Sequence, residues 1–163
     1  TARSGGITSD PKIIKVVDSS GCENWSSFTP DQDLISGIPY TSGSGLIISC
    51  THHVIIERRS WIHDIQGTLH LTLRGDMGFS LACIFPAPIT QMTLNITPPI
   101  ENISPTSNRT EFITETNKII PHKSEFEAGE QVFKLDEPVK AVYFYRRGHP
   151  SVDLRIREIA WQS

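Results

Sequence analysis

The sequence predicts an all-β protein, an antiparallel β-sandwich, and three features of the chain lead to this prediction. Apolar and polar residues alternate along many short segments, which is the pattern of a strand with one buried face. Glycine, proline, asparagine and aspartate separate these segments at short intervals. Apolar residues at helical spacing are nearly absent, and many short strands without intervening helices are typical of sandwiches and barrels.

The predicted strands follow one another along the whole chain. In order they are KIIKVV, LIISCTHHVIIE, GTLHLTLRGD, FSLACIF, QMTLNIT, EFITET, EQVFKL, KAVYFY and VDLRIREIAW. In the last of these, alternation places Val152, Leu154 and Ile156 on the core side. The outward positions of the same strand are Asp153, Arg155 and Arg157. In KAVYFY the outward residues are Tyr143 and Tyr145.

Length and composition indicate one domain. A chain of 163 residues is a usual size for a single domain, so we assign residues 12–163 to one β-sandwich domain and residues 1–11 to an N-terminal extension. The chain is 37% apolar and 20% charged, and its apolar runs are short. It is therefore too apolar for a disordered chain and too interrupted for membrane insertion. A net charge of −3 argues against general nucleic-acid binding.

Asparagine usage predicts a secreted or extracellular glycoprotein. Four of the five asparagines begin N-x-S/T triplets, and only Asn117 does not. Such triplets are acceptors of N-linked glycans in secreted proteins. The predicted glycosylation sites are Asn24, Asn95, Asn102 and Asn108. The alternative is that these asparagines are ordinary polar turn residues.

The three cysteines allow one disulfide and one free thiol within the chain. Cys50 and Cys83 both lie in apolar strand-like segments, so a bridge between these two is preferred to a bridge from either to Cys22. The alternative is that Cys50 and Cys83 are small buried hydrophobic residues with free thiols.

Two aromatic residues stand out as candidates for ligand contact. Trp61 lies between ERRS and IHDIQG, among polar and charged neighbours. A flat indole ring in such a place can stack on the C–H face of a sugar. Tyr40 lies in the Gly- and Ser-rich segment 29–45, which has the composition of a ligand-binding loop.

A catalytic function has less support. A hydrolase site would join His63 and Asp64 with Ser60 or Cys50 as the nucleophile. Nucleophilic catalysis needs a base within hydrogen-bond reach of the nucleophile and a third group that orients the base. Neighbouring residues on one strand rarely meet that requirement, so we expect a protein that is not an enzyme.

Three segments of the chain resemble a known family, the carbohydrate-binding modules attached to xylanases and related glycanases. The segment EFEAGEQVFKLDEPVKAVYFYRRGHPSVDLRIREIAW is similar to the closing strands of that family. The segment LIISCTHHVIIERRSWIHDIQGTLHLTLRGDMGFSLACIF resembles the part in which an arginine and a tryptophan precede a strand, and GCENWSSF resembles the opening motif. The resemblance implies a jelly-roll sandwich of galactose-binding-like architecture and a noncatalytic function.

The resemblance also implies roles for individual residues. Trp61 falls at the stacking tryptophan of the family, Arg59 at the arginine before it, and Tyr145 at a groove tyrosine. Glu23 and Glu158 fall where the family builds a structural calcium site, although Glu158 stands alone where the family has an acidic pair. We expect no other cofactor.

One departure from the family changes the expected ligand. Arg147 stands where the family has an acidic residue. Arginine only donates hydrogen bonds and prefers carboxylate, sulfate or phosphate. We therefore expect a lectin-like domain that binds an acidic polysaccharide or glycan on one face, formed by Tyr143, Tyr145, Arg147 and Arg155.

A protein partner is the alternative from another functional class. Tyrosine and arginine also dominate protein-binding hot spots, so the same residues suit a protein–protein interaction or receptor-binding domain of a surface or viral glycoprotein. Coplanar aromatic rings in a groove would favour a sugar. A flat apolar patch with a charged rim would favour a protein.

Overall fold

The computed structural model describes residues 20–52, 60–75, 78–101, 108–122, 125–146 and 152–163. These residues form ten strands and no helix, and all the pairings are antiparallel. The predicted all-β antiparallel class is confirmed. The strands are β1 Gly21–Glu23, β2 Tyr40–Thr41, β3 Ile47–His52, β4 Ser60–Ile65, β5 Thr68–Leu73, β6 Phe79–Thr97, β7 Asn108–Thr114, β8 Ile119–His122, β9 Gly129–Arg146 and β10 Leu154–Gln162.

Two long strands, β6 and β9, hold the sandwich together. They pair with each other, and their register shifts between Lys134 and Ala141. Three prolines, which cannot donate a ladder hydrogen bond, lie in or near this irregular part: Pro86, Pro88 and Pro138. The sequence therefore predicted two short strands in each place where the structure has one long, bent strand.

The bend divides the sheet into two halves. The first half contains β1, β4, β5, β10, residues 91–97 of β6 and residues 129–134 of β9. The second half contains β2, β3, β7, β8, residues 79–84 of β6 and residues 141–146 of β9. Each half has an inner face toward the core and an outer face.

One core joins the two halves. Ile62, Leu71 and Ile156 of the first half belong to the same cluster of buried side chains as Phe112 and Phe144 of the second half. A sheet whose two parts bury their inner faces against each other is a sandwich. No helix long and apolar enough to span a membrane occurs in the part of the chain that the structure describes.

Strand β10 follows the predicted alternation as far as a bulge. Leu154 and Ile156 are buried, while Arg155 and Arg157 lie on the outer face. The register with β6 then shifts between Ile156 and Glu158. A β-bulge adds one residue to the strand and so reverses the alternation. After the bulge, Ile159 and Trp161 are the buried residues.

The predicted disulfide is wrong. Cys50 and Cys83 lie on the neighbouring strands β3 and β6, both side chains are buried, and both thiols are free. They are not opposite each other, because Cys50 pairs with Leu81 and Cys83 pairs with Ile48. Burial raises the pKa of Cys50 to about 12, so the thiol is a protonated, hydrophobic side chain. Residues 1–11, the proposed extension, lie outside the described residues.

Candidate functional site

The structure divides the predicted ligand face between two outer faces. Arg155 pairs with Thr72 of β5 and Thr97 of β6, in the first half. Tyr143 and Tyr145 pair with residues 80–82 of β6, in the second half. The expectation that Arg155 lies beside the tyrosines is therefore wrong, because β10 pairs with residues 91–97 of β6, whereas the tyrosine-bearing end of β9 pairs with residues 79–84.

We call the outer face of the first half the arginine face. Its outward residues form rows across the strands, since Trp61 pairs with Thr72, Thr72 with Arg155, and Arg155 with Thr97. The next row begins with His63 and His70, which pair directly. Polar members of this face near Arg155 include His63, His70, Thr72, Thr97 and Arg157.

A cleft of about 390 Å³ opens on the arginine face, and we call it the arginine cleft. It is lined by residues 63–66 at the end of the β4–β5 hairpin, by Thr97 and Pro98, and by Arg155. Nδ1 of His63 is buried, and no described residue forms a hydrogen bond with it. The Asp64 carboxylate accepts a hydrogen bond from the amide of Gly67 at 2.8 Å, which braces the hairpin turn.

His70 holds the hydroxyl of Thr97 beside this cleft. Its Nδ1 lies 3.0 Å from the carbonyl oxygen of Thr68, so Nδ1 is the protonated nitrogen of the ring. The other nitrogen, Nε2, then accepts a hydrogen bond from the Thr97 hydroxyl at 2.8 Å. Burial, followed by the nearby Arg157, lowers the pKa of His70. A neutral imidazole therefore orients Thr97.

Trp61 does not offer the open ring that stacking on a sugar needs. It is 7% exposed, and the guanidinium of Arg74 lies 5.7 Å from its ring centroid. Residues 31–34 run beside β4, where the amide of Leu34 donates to the carbonyl of Ser60 at 2.8 Å. The expected exposure of Trp61 is therefore corrected, because a distant segment packs against its strand.

Tyr40 and the segment around it serve as braces in the described structure. The hydroxyl of Tyr40 accepts a hydrogen bond from the amide of Ile35 at 3.0 Å. The buried Glu23 accepts hydrogen bonds from the amide of Trp25 at 2.6 Å and the hydroxyl of Ser44 at 2.5 Å. The loop is therefore tied to β1 at its base.

The two carboxylates of the implied calcium site make different hydrogen bonds in the structure. Glu23 points to the inner face, opposite Ile159, with both oxygens occupied as described above. Glu158 accepts a hydrogen bond from the thiol of Cys22 at 2.9 Å at the surface. No group of three His, Cys, Asp or Glu side chains that could hold a metal ion occurs among the described residues.

We call the outer face of the second half the tyrosine face. Tyr143 and Tyr145 are half-buried, their ring centroids lie 6.3 Å apart, and the rings are inclined at 83°. The guanidinium of Arg109 lies 4.5 Å from the Tyr145 ring and pairs with Glu111 at 3.1 Å. The rings are perpendicular, so they do not form a coplanar platform.

Part of the tyrosine face is apolar. Ile84 of β6 and Ile113 of β7 flank Ala141 of β9, and Ile113 pairs with Ile119 of β8. Ile84 is 42% exposed and Ile119 is 56% exposed. In the described residues this face therefore combines an apolar patch with an Arg109–Glu111 ion pair near its aromatic end.

Two predicted glycosylation sites lie at the arginine face. Asn24 is exposed, and its side-chain oxygen accepts a hydrogen bond from the amide of Ser26 at 3.2 Å. Asn95 is half-buried between Glu130 and Glu158. Asn108 begins β7. The predicted site residues Arg59, Arg147 and Asn102 lie outside the described residues.

The components of the hydrolase hypothesis are not assembled. Within the described part of the chain, Nδ1 of His63 has no hydrogen-bond partner. Burial raises the pKa of the Cys50 thiol, and a hydrogen bond with Ser60 offsets only part of that rise. That His63, His70 and Thr97 share the arginine face was not predicted from the sequence. The signal was present in GTLHLTLRGD, where His70, Thr72 and Arg74 alternate with the buried leucines.

Several solved structures of carbohydrate-related proteins are similar to the chain. A fucose-binding module from Streptococcus pneumoniae is 9% identical, with 58% of this chain and 72% of that chain covered and a TM-score of 0.42. A low-affinity xylan-binding module from Roseburia intestinalis is 6% identical, with 71% and 96% covered and a TM-score of 0.40. A carbohydrate esterase from Cellvibrio japonicus is 14% identical, with 72% and 34% covered and a TM-score of 0.39.

The first two structures are carbohydrate-binding modules, the class that the sequence resembles. No protein-family model and no curated protein sequence matches the chain. All three TM-scores lie below 0.5, so these similarities assign neither a ligand nor an activity to the chain.

Proposed function

We propose that the chain is a noncatalytic, lectin-like carbohydrate-binding domain of a secreted glycoprotein, and that it binds an acidic glycan in the arginine cleft. One observation carries this proposal: Arg155 lies in a surface cleft together with the imidazole of His63, the amide of Gln66 and the hydroxyl of Thr97. Sugar sites combine a preformed concave surface with a few directed polar groups.

The polar groups of the cleft suit a sugar that carries an anion. Arginine offers a planar fork of donors to a carboxylate or sulfate. Gln66 can both donate to and accept from hydroxyl groups, and Ile65 and Pro98 supply apolar surface for the C–H face of a ring. Asp64 is engaged with Gly67, so its charge is partly satisfied within the hairpin.

A glycan array followed by calorimetry tests this proposal. We expect uronate- or sulfate-containing oligosaccharides to bind, and the affinity to fall as salt is raised because exposed charge contacts are screened over about 10 Å at 0.1 M. The substitution Arg155→Gln should lower the affinity for the acidic ligand about tenfold, which corresponds to about 1.4 kcal/mol.

Arg109→Gln is the matched control, because it removes an arginine from the opposite face of the sandwich and should leave the affinity unchanged. Equal affinities for the wild type and Arg155→Gln would contradict the assignment of the cleft.

Secretion is tested separately. Expression in a glycosylating eukaryotic host should give a mass above the sequence value, and enzymatic removal of N-glycans should restore it. Asn24→Gln and Asn95→Gln should each remove one glycan. An unmodified product from such a host would remove the main support for a secreted glycoprotein.

A protein partner on the tyrosine face is the second candidate function. The observation that favours it is the perpendicular tyrosine pair beside the exposed Ile84 and Ile119. Aromatic residues and arginine with an apolar centre are the composition of protein-binding surfaces. The test is a pull-down of cell-surface proteins with the purified domain as bait. The result would favour this candidate if Tyr143→Ala abolished capture of a surface protein while Arg155→Gln did not.

A further inference from the structure

Arg146 is a buried cation that leaves part of its hydrogen-bonding capacity unused. It ends β9, where it pairs with Phe79 of β6 and Asn108 of β7. Alternation directs its side chain to the inner face, in line with Val142 and Phe144, and the residue is 1% exposed. Its Nε and Nη2 atoms are buried and have no hydrogen-bond partner among the residues that the structure describes.

Other buried polar side chains of the sandwich have hydrogen-bond partners within the protein. Glu23 accepts hydrogen bonds at both oxygens, and the amide of Gln131 binds the backbone at Glu125 and Glu127. Trp161 has an unpartnered Nε1, but an indole is neutral. Arg146 differs because a buried charged donor without an acceptor is more costly than a neutral one.

The electrostatic surroundings of Arg146 agree with this description. Burial lowers the pKa of its guanidinium, and the carboxylate of Glu101 acts in the opposite direction. The negative charge near Arg146 therefore only partly offsets the loss of water. A further anion at the guanidinium would supply both the missing charge and the missing acceptors.

The two unused donors lie along one edge of the guanidinium plane. The Nε–H and Nη2–H bonds of an arginine are parallel, and their spacing matches two oxygens of one planar or tetrahedral oxyanion. We propose that Arg146 binds a carboxylate, sulfate or phosphate group through these two donors, at the end of the sandwich where β9 stops. This site is separate from the arginine cleft and does not depend on the proposed function.

Thermal unfolding of the intact protein tests the site. At constant ionic strength, chloride is replaced stepwise by phosphate, sulfate, acetate or glucuronate, with glucose as the neutral control. We expect a saturable rise of the unfolding temperature, by about 5–10 °C at a hundredfold excess over the Kd. Sulfate and phosphate also stabilise proteins nonspecifically, but that effect does not saturate and is common to all variants.

Arg146→Gln should abolish the saturable rise, while Arg109→Gln, which removes an exposed arginine of the same half, should retain it. Arg146→Lys keeps the charge without the fork and should weaken the apparent affinity at least tenfold, so it replaces Arg146→Gln if that variant does not fold. The NMR signal of the Arg146 Nε–H group is identified as the arginine Nε–H signal that disappears in Arg146→Lys. In the wild-type protein this signal should shift as phosphate or glucuronate is added.

The set of anions that raise the unfolding temperature shows which chemical group the Arg146 site binds. A response to phosphate and sulfate as well as glucuronate supports a general oxyanion site, and a response to acetate and glucuronate alone supports a carboxylate site. A rise that persists unchanged in Arg146→Gln, the absence of any saturable rise, or an unshifted Nε–H resonance would overturn the proposal.

Discussion

The arginine face and the tyrosine face are built on the same two long strands, yet they differ in the kind of surface they present. The arginine face carries hydroxyls, imidazoles and guanidinium groups around an open cleft. The tyrosine face carries a perpendicular aromatic pair and exposed isoleucines. A small, directional ligand suits the first surface, and a broad partner suits the second. The comparison shows that one sandwich can offer two chemically distinct surfaces over a single core.

The strongest test of this comparison is to damage the shared core. Phe144 is buried, and it lies between Tyr143 and Tyr145 on β9 but faces inward. Phe144→Ala should lower the free energy of unfolding by about 3–5 kcal/mol because it leaves a cavity. Chemical denaturation would measure the loss. Tyr143→Ala, the outward neighbour, should cost clearly less, and equal losses would argue against the assignment of inner and outer faces.

A second substitution separates burial from ligand contact on the arginine face. Trp61 is nearly covered, so Trp61→Ala should destabilise the fold by roughly 3 kcal/mol through lost packing. Trp61→Phe should recover much of that stability. Denaturation curves and glycan titrations on the same samples would show the distinction. A Trp61→Ala variant of unchanged stability that had lost glycan binding would restore the stacking role for this residue.

The reactivity of Cys22 probes the edge of the arginine face. Burial, then the hydrogen bond to Glu158, raises the pKa of this surface thiol from 9.0 to about 11. Only a thiolate reacts with iodoacetamide, so alkylation at pH 8 should be about a hundredfold slower than for an ordinary thiol. Glu158→Gln removes the negative partner and should speed alkylation by about tenfold. Mass spectrometry would follow the reaction, and an unchanged rate would disprove the Cys22–Glu158 contact.

The smallest expected effect is a pH dependence of stability that arises from His70 on the arginine face. The pKa of His70 is lowered below 6.5, so below about pH 6.5 the unfolded chain takes up a proton that the folded chain resists. The contribution of His70 to stability is therefore full above that pH, and it falls as the pH drops toward the folded-state value. Denaturation midpoints at pH 7.5 and 5.5 would show the change.

His70→Gln should reduce this acid-induced loss, since glutamine does not titrate in that range. If His70→Gln lost as much stability on acidification as the wild type, His70 would not be the titrating group.

The alternation of residues was enough to predict the strand class and the direction of most side chains. It placed Tyr143 and Tyr145 on the outer face of their strand and Phe144 on the inner face, as the structure shows. It likewise placed Arg155 on the outer face and Leu154 and Ile156 on the inner face. Alternation carries only local information, since it fixes which face of its own strand a residue occupies. It could not show that β10 and the tyrosine-bearing end of β9 pair with different parts of β6.

The wrong predictions arise where contacts between residues far apart in the sequence decide the structure. Trp61 has polar neighbours along the chain, but residues 31–34 and Arg74 come against its strand through tertiary contacts. The sequence predicted two separate strands, EQVFKL and KAVYFY, on the two sides of Pro138. In the structure β9 continues through Pro138 with an irregular register. His63 and Thr97 come together at the arginine cleft only because the hairpin and the end of β6 meet in space.

The strands at the margins of the sandwich bear on how the protein behaves at high concentration. An open sheet edge invites pairing with another molecule and can seed aggregation. In the described residues, β2 is two residues long, β8 is four residues long and contains Pro121, and β4 is hydrogen-bonded along its outer side by residues 31–34. These short, interrupted or covered margins leave few free backbone groups in a row. Crowding many copies together would therefore favour contacts through side chains over the growth of intermolecular sheets.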